Sequence, residues 1–260
     1  MNSLLVLINK ELVQMKRDYK IIWLPLVFIF LGATQPVVMY YLPAIIKAIG
    51  GGQGITIDSS MVQQEGGQIM AATLGSQFDQ LGMMIIIVSV MGVIQTDKES
   101  GMLAFILTRP VSVAAYIWGK VISNYIIIIL SVSCGFIVAF LYARYLFSSV
   151  QLTSVLASLF IYFVWVLFMV TFTSMISTIF NSQGIIALIS IVFLLLNRML
   201  VGVHPVLDML NPAGMSNHAM ELLSTGSAVN SLYGNLLITM LWVLVTLGIS
   251  YYWITQKKFH

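Results

Sequence analysis

The residues with most capacity for chemistry lie between 96 and 120, in TDKESGMLAFILTRPVSVAAYIWGK. Asp97, Lys98 and Glu99 form a tight charged cluster. Gly101 permits a turn, and Leu103, Phe105, Ile106 and Leu107 then make a short apolar helix that Arg109-Pro110 ends. Leu103 and Leu107, four apart, share one face of that helix. Charges beside a short apolar helix suit docking into a groove of another protein; they equally suit a connecting helix at a membrane surface. His204, Asp208, His218 and Glu221 carry ligand-type side chains, but their spacing matches no metal site and reads as loop chemistry, so no metal is expected. Thr171, Ser174 and Thr178 recur on one helical face and suit packing through small hydroxyl residues. Cys134 stands alone in an apolar run, which leaves no disulfide and no redox pair. A phosphate loop needs G-x-x-x-x-G-K-[ST], whereas Gly119-Lys120 is followed by Val121 and the glycine run at 50–54 has no lysine after it. With no Ser-His-Asp arrangement either, the chain reads as neither an enzyme nor a holder of a cofactor.

The elements that position these residues follow from composition. Of 260 residues, 59% are hydrophobic and 8% charged, against about 25% charged in a soluble domain. So much apolar surface needs lipid as its solvent. The net charge of +3 includes no basic stripe of the kind that tracks nucleic acid. The first twenty residues read as an amphipathic helix in the headgroup region, not as a cleaved signal. Leu4, Leu5, Ile8, Leu12, Met15 and Tyr19 recur at three- and four-residue spacing, and Lys10, Lys16, Arg17 and Lys20 supply a basic side.

About 20 apolar residues cross a hydrocarbon core of about 30 Å. On that basis spans are expected near 21–42, 80–95, 119–143, 152–179, 184–203 and 235–254, the second beginning before Asp79 in the polar segment AATLGSQF. The predicted fold is an all-α integral membrane protein of about six transmembrane helices within 21–260. Residues 96–118 form its substantial inner loop, and 204–234, broken by Pro205, Pro212, Gly214 and Gly226, form a re-entrant outer segment before the last span. With both termini inside, nine of the 12 Lys and Arg (Lys10, Lys16, Arg17, Lys20, Lys98, Arg109, Lys120, Lys257, Lys258) fall on the inner side, against Lys47, Arg144 and Arg198. That asymmetry predicts cytosolic termini in a multi-pass protein of the cell membrane. Asp79, Arg144 and Arg198 are expected near span ends, leaving the span centres uncharged.

The inner loop resembles that of the exporter-type (type-2) ATP-binding-cassette permeases. In that family an acidic-basic-acidic-x-Gly-Thr-Leu-Glu run leads to Leu-Leu-x-x-Pro-Val-Ser, and a Gly-Lys opens the next span. Asp97-Lys98-Glu99-Ser100-Gly101 is similar to the first part; Leu103, Ile106, Leu107, Pro110, Val111 and Ser112 are similar to the second, and Gly119-Lys120 to the close. Met102 stands where Thr is usual and Ala104 where Glu is. The resemblance extends to the layout of amphipathic helix, six spans and broken outer segment, and to Asn211-Pro212-x-Gly214. It implies a permease that pairs with a second permease, identical or not, lines a substrate path with it in the lipid bilayer, and is driven by separate cytosolic ATPases. The ATPase-coupling residues it implies are Asp97, Lys98, Glu99, Gly101, Leu103, Ile106, Leu107 and Pro110. The alternatives are an ATPase-independent secondary transporter or channel, and a membrane scaffold that holds a regulator.

Overall fold

A chain in lipid has no water to satisfy its peptide groups, so it folds into helices that satisfy them internally. The computed structural model describes residues 3–49, 65–107, 112–227 and 231–256, and all regular structure among them is helical. The glycine run at 50–54, Arg109, Pro110, Val111, Lys257 and Lys258 lie outside the described residues, as do the side chains of Lys47 and Leu107.

In chain order the elements are α1 (Ser3–Arg17), α2 (Lys20–Ile49), α3 (Gly66–Thr73), a π-helical stretch (Leu74–Gly82), α4 (Met83–Val90), α5 (Gln95–Glu99), α6 (Met102–Leu107), α7 (Val113–Leu146), α8 (Leu152–Ile179), α9 (Gln183–Met199), α10 (Pro205–Leu210), α11 (Gly214–Thr225) and α12 (Leu232–Gln256). Among the described residues, five stretches are long and apolar enough to cross a membrane: Lys20–Ile46, Gly66–Glu99, Val113–Leu146, Leu152–Ile179 and Leu232–Gln256. α9 is apolar but has 17 residues, about 25 Å of helix at 1.5 Å per residue. The expected span at 184–203 therefore stops early, and Gly202, at φ +88°, turns the chain beyond it. The expected span at 80–95 is instead part of a continuous helical run from Gly66, because the polar stretch read as its approach winds as a π-helix inside it.

Alternation of the spans divides the bundle into two faces. One carries α1, α5, α6 and the α8–α9 junction; the far face carries the start of α3, the α7–α8 turn, α10 and α11. A turn at Tyr19, held at φ 55°, folds α1 back from α2. α1 lies on α7 and α2 with Glu11 and Met15 buried, while Leu5, Val6 and Val13 stay exposed. α2 contains Pro25, Pro36 and Pro43 yet remains one helix, as membrane helices with packed neighbours do. α2 and α7 approach at backbone distance: a Cβ on Gly32 would strike the Gly135 carbonyl, and one on Gly135 the Phe28 carbonyl. Inside, Phe78 of the π-helical stretch meets Phe28 of α2, Phe136 of α7 and Tyr162 of α8 at ring separations of 5.5, 6.2 and 6.4 Å.

The far-face pair α10–α11 is set by side chains that replace helix ends. His204 Nδ1 caps α10 by accepting from the Val206 N–H. Asn211 Oδ1 accepts from the Ala213 N–H while its amide donates to the Asn197 carbonyl. Asn235 Nδ2, at the head of α12, donates to the carbonyls of Asp208, Met209 and Asn211. Gly214 fits because a Cβ there would meet Asp208 and Asn235, and Gly226, left-handed at φ 74°, ends α11.

Candidate functional site

The charged cluster of the loop is built into the α1 face of the bundle. Ser112 N-caps α7 by accepting from the Ala115 N–H, so α7 begins two turns before Lys120 and carries that lysine inward. Gly119 admits α1: a Cβ there would lie 3.1 Å from Leu7 Cβ. α1 brings Glu11, and α5 brings Asp97. Lys120 Nζ lies 3.0 Å from Glu11 Oε1 and 2.9 Å from Asp97 Oδ2, with the side chains of Lys120, Glu11 and Asp97 only 3%, 7% and 8% exposed. The Tyr116 hydroxyl donates to the same Asp97 oxygen at 2.8 Å. Three elements far apart in sequence therefore meet at one ammonium. Ions so buried are tolerated only when paired and hydrogen-bonded.

The other side of α5 is fastened to α8 and α9. Ser177 Oγ accepts from the backbone N–H groups of Ile94 and Gln95 and donates to the Met91 carbonyl. Lys98 Nζ donates to the carbonyls of Thr178 and Phe180 and to Asn181 Oδ1, a cation placed where the C-terminus of α8 is most negative. Gln95 Nε2 donates to Glu99 and to the Asn181 carbonyl, and its Oε1 accepts from Gln183. α5 is thus a short rod joined to the first turns of α7 and to the α8–α9 junction, and through Lys120 to Glu11 in the middle of α1. Beside it a polar cavity of about 200 Å³ is walled by Glu11, Asp18, Lys20, Ser89, Lys120 and Asn124 among others. Lys20 Nζ donates there to the Ser89 carbonyl and Asn124 Oδ1.

These placements change two expectations. Leu103 was expected on an outward docking face; it is fully buried, and Ile106 nearly so, while Met102 and Phe105 (55% exposed) form the outward apolar face of α6. The reason is the sharp turn at Gly101, φ +72°, which rotates α6 so that Leu103 points into the bundle. Asp97, expected to meet a charged partner, instead pairs with Lys120 of its own chain, and Glu99 remains exposed at the tip. Sequence reasoning passed over Glu11 and Tyr116 entirely. The available signal was Lys120: a lysine two turns inside an apolar helix requires buried counter-charges.

On the far face Asp79 is not at a span end. It lies within the Gly66–Glu99 run, fully buried, with Arg198 Nε of α9 at 2.8 Å and the Ser216 hydroxyl of α11 at 2.5 Å, both on Oδ2. The span expected to begin in the polar segment just before Asp79 begins at Gly66 instead, which sets Asp79 well inside it. His204, Asp208, His218 and Glu221 do not converge, and among the described residues no group of three His, Cys, Asp or Glu side chains could hold a metal. Asp208 Oδ1 accepts from the Gly202 N–H. Thr171, Ser174 and Thr178 are buried in the packing of α8, with Thr171 and Thr178 bonding back to their own helix.

Comparison with known proteins agrees with this architecture. The sequence profile of the family described as ABC-2 family transporter protein matches residues 5–259. An uncharacterized transmembrane protein of Bacillus subtilis (strain 168), YxlG, is 39% identical over 184 residues, which cover 71% of this chain and 70% of that protein.

Proposed function

The chain belongs to the ABC-2 transporter family, and from that premise we propose that it is the permease half of an exporter driven by ATP hydrolysis in separate cytosolic subunits. In this reading the chain pairs with a second permease, identical or not, and the substrate path runs between them. The observation that carries the reading is the attachment of α5 to three helices at once, through Lys120 of α7, Ser177 and the C-terminal carbonyls of α8 and Gln183 of α9, with Lys120 passing the contact on to Glu11 of α1. A push on a free loop dissipates in its own motion; a push on a rod bonded to α7, α8 and α9, and through Lys120 to α1, must move those helices. The α5–α6 hairpin offers the ATPase an exposed Glu99 and the apolar pair Met102 and Phe105, while Asp97 and Lys98 act behind it, passing the movement inward.

The test is retention of the ATPase on the purified permease, together with substrate-stimulated hydrolysis. Glu99→Lys, Leu107→Ala and Phe105→Ala are each expected to weaken attachment or uncouple hydrolysis, with a five- to thirty-fold loss of affinity for about 1–2 kcal/mol at a buried anchor. His218→Ala on the far face should leave attachment intact. Full attachment and full transport in all three loop variants would reduce the hairpin to a connector.

Orientation follows the basic residues: the α1 face lies in the cytosol and the α10–α11 face outside. In a Cys134→Ser chain in intact cells, an impermeant thiol reagent should modify a cysteine placed at Ser224 and spare one placed at Glu99. The reverse pattern would overturn the topology. One observation favours a second reading, ion-coupled transport: the Asp79 carboxylate is buried among the spans, paired with the partly exposed Arg198 in the last turn of α9. Transport by the reconstituted chain with no ATPase present would decide for it.

A further inference from the structure

The polar cavity beside α5 holds two charges that no ion pair neutralises among the described residues. At its buried end is the Lys20 ammonium. Two of its three hydrogens go to the Ser89 carbonyl and Asn124 Oδ1, both neutral acceptors, and no carboxylate pairs with it. A buried ammonium held by neutral groups alone is costly, and what offsets that cost is an anion. At the open end Asp18 is exposed and likewise carries no ion pair. In the wall between, Lys120 serves both Glu11 and Asp97, two carboxylates to one ammonium. A simple anion is thus drawn by Lys20 and opposed by the carboxylates, whereas a zwitterion satisfies both ends. The cavity also lies at headgroup depth. Tyr19 and Trp118, both exposed, stand beside Lys20 and Lys120 in the chain, and such aromatics sit at membrane interfaces. Val88 of α4, half exposed, borders the cavity on its lipid side, and Asp18 and Thr96 border it on the water side.

We propose that this cavity is a headgroup site for a phospholipid of the phosphatidylethanolamine type, in the leaflet on the α1 face. The phosphodiester takes the third Lys20 hydrogen, the primary ammonium lies against Asp18, and the acyl chains leave past Val88. Among the described residues no aromatic side chain lines the cavity, so it lacks the cage that recognises a quaternary ammonium. Carboxylate and amide oxygens instead reward an ammonium that has N–H groups to donate. At about 200 Å³ the cavity is smaller than the roughly 300–1,000 Å³ that encloses a drug-sized ligand. It therefore takes the headgroup while the chains stay in the bilayer. The site is a property of this chain's own charges and stands whether or not an ATPase drives it.

The test is native mass spectrometry of the full chain, purified in detergent, stripped of lipid and titrated with one lipid at a time. Phosphatidylethanolamine is expected to bind at lower concentration than phosphatidylcholine or phosphatidylglycerol. Lys20→Met should weaken it at least about ten-fold, the loss of a hydrogen bond to a charged group. Asp18→Asn should weaken it about two- to five-fold, the range of an exposed ion pair, and strengthen phosphatidylglycerol. Lys16→Gln, at an exposed lysine of α1, should change neither, which separates the site from general attraction to a basic surface. Equal binding of the three lipids, or unchanged binding in Lys20→Met and Asp18→Asn, overturns the site. If Lys20→Met fails to fold, the shift in lipid preference with Asp18→Asn decides. Soluble phosphoethanolamine and inorganic phosphate are the competing probes. Displacement of the lipid by either at equal concentration would make a free phosphate compound the ligand and overturn the lipid assignment.

Discussion

Replacing Lys120 with methionine is expected to cost the folded chain about 3–5 kcal/mol, the usual loss when one partner of a buried ion pair is removed. The ammonium stands between Glu11 and Asp97, at 3.0 and 2.9 Å, with all three side chains almost wholly buried. Methionine fills a similar volume but leaves two carboxylates facing each other out of water, with the Tyr116 hydroxyl as the remaining donor to Asp97. The control is the neutral set Glu11→Gln, Asp97→Asn and Lys120→Met, which should recover most of the loss because it leaves no buried charge to solvate. Equilibrium unfolding in mild detergent measures both. A Lys120→Met chain as stable as its parent would mean that water reaches the network and the pairing is idle.

The same variants separate folding from coupling. If the network only held the fold, the neutral set would transport as it folds. If it transmits motion from α5 to α1 and α7, weaker amide contacts in place of ion pairs should leave a folded chain that still binds its ATPase but hydrolyses ATP without transport. The second pattern is expected, since three elements meet at Lys120, which links Glu11 of α1 to Asp97 of α5.

What the sequence made legible was whatever depends on local pattern. Long apolar runs gave the spans, since lipid leaves a helix as the sole local solution, and the paired Pro and Gly positions gave the break between α10 and α11. The turn at Gly101 needed only its missing side chain. Partnerships were not legible, because no periodicity joins Glu11 to Lys120 or Asp79 to Arg198 and Ser216. Asp79 was misplaced for a related reason. Thr73, Ser76 and Gln77 make its surroundings read as the polar beginning of a span, but Thr73 and Ser76 return their hydroxyls to their own helix, at the carbonyls of Ile69 and Ala72, and Gln77 donates to Gln35 of α2. Polar residues that satisfy themselves in this way can cross a membrane. Leu103 was misassigned because four-residue spacing gives a shared face but not the direction in which that face points.

Gly135→Val is expected to be the most damaging glycine substitution in the spans, at about 3 kcal/mol or more, the upper end for overpacking. In lipid the hydrophobic effect does not drive helices together, so association rests on close packing at small residues. α2 and α7 meet backbone to backbone, with Gly32 against the Gly135 carbonyl and Gly135 against that of Phe28. A side chain there meets main chain, which cannot rotate away, so the helices must separate. Separation would also pull Phe28 and Phe136 from Phe78, the ring at which α2, α7 and the π-helical stretch join. Alanine at either glycine should be damaging in the same direction and less severe. Gly248→Ala in α12 is the matched control: a Cβ there meets nothing within 4 Å, and the change should be neutral or stabilising by up to about 1 kcal/mol. Yield of monodisperse protein and unfolding in detergent provide the comparison. A Gly135→Val chain that matches the Gly248→Ala chain in both would show that α2 and α7 are not held by this crossing.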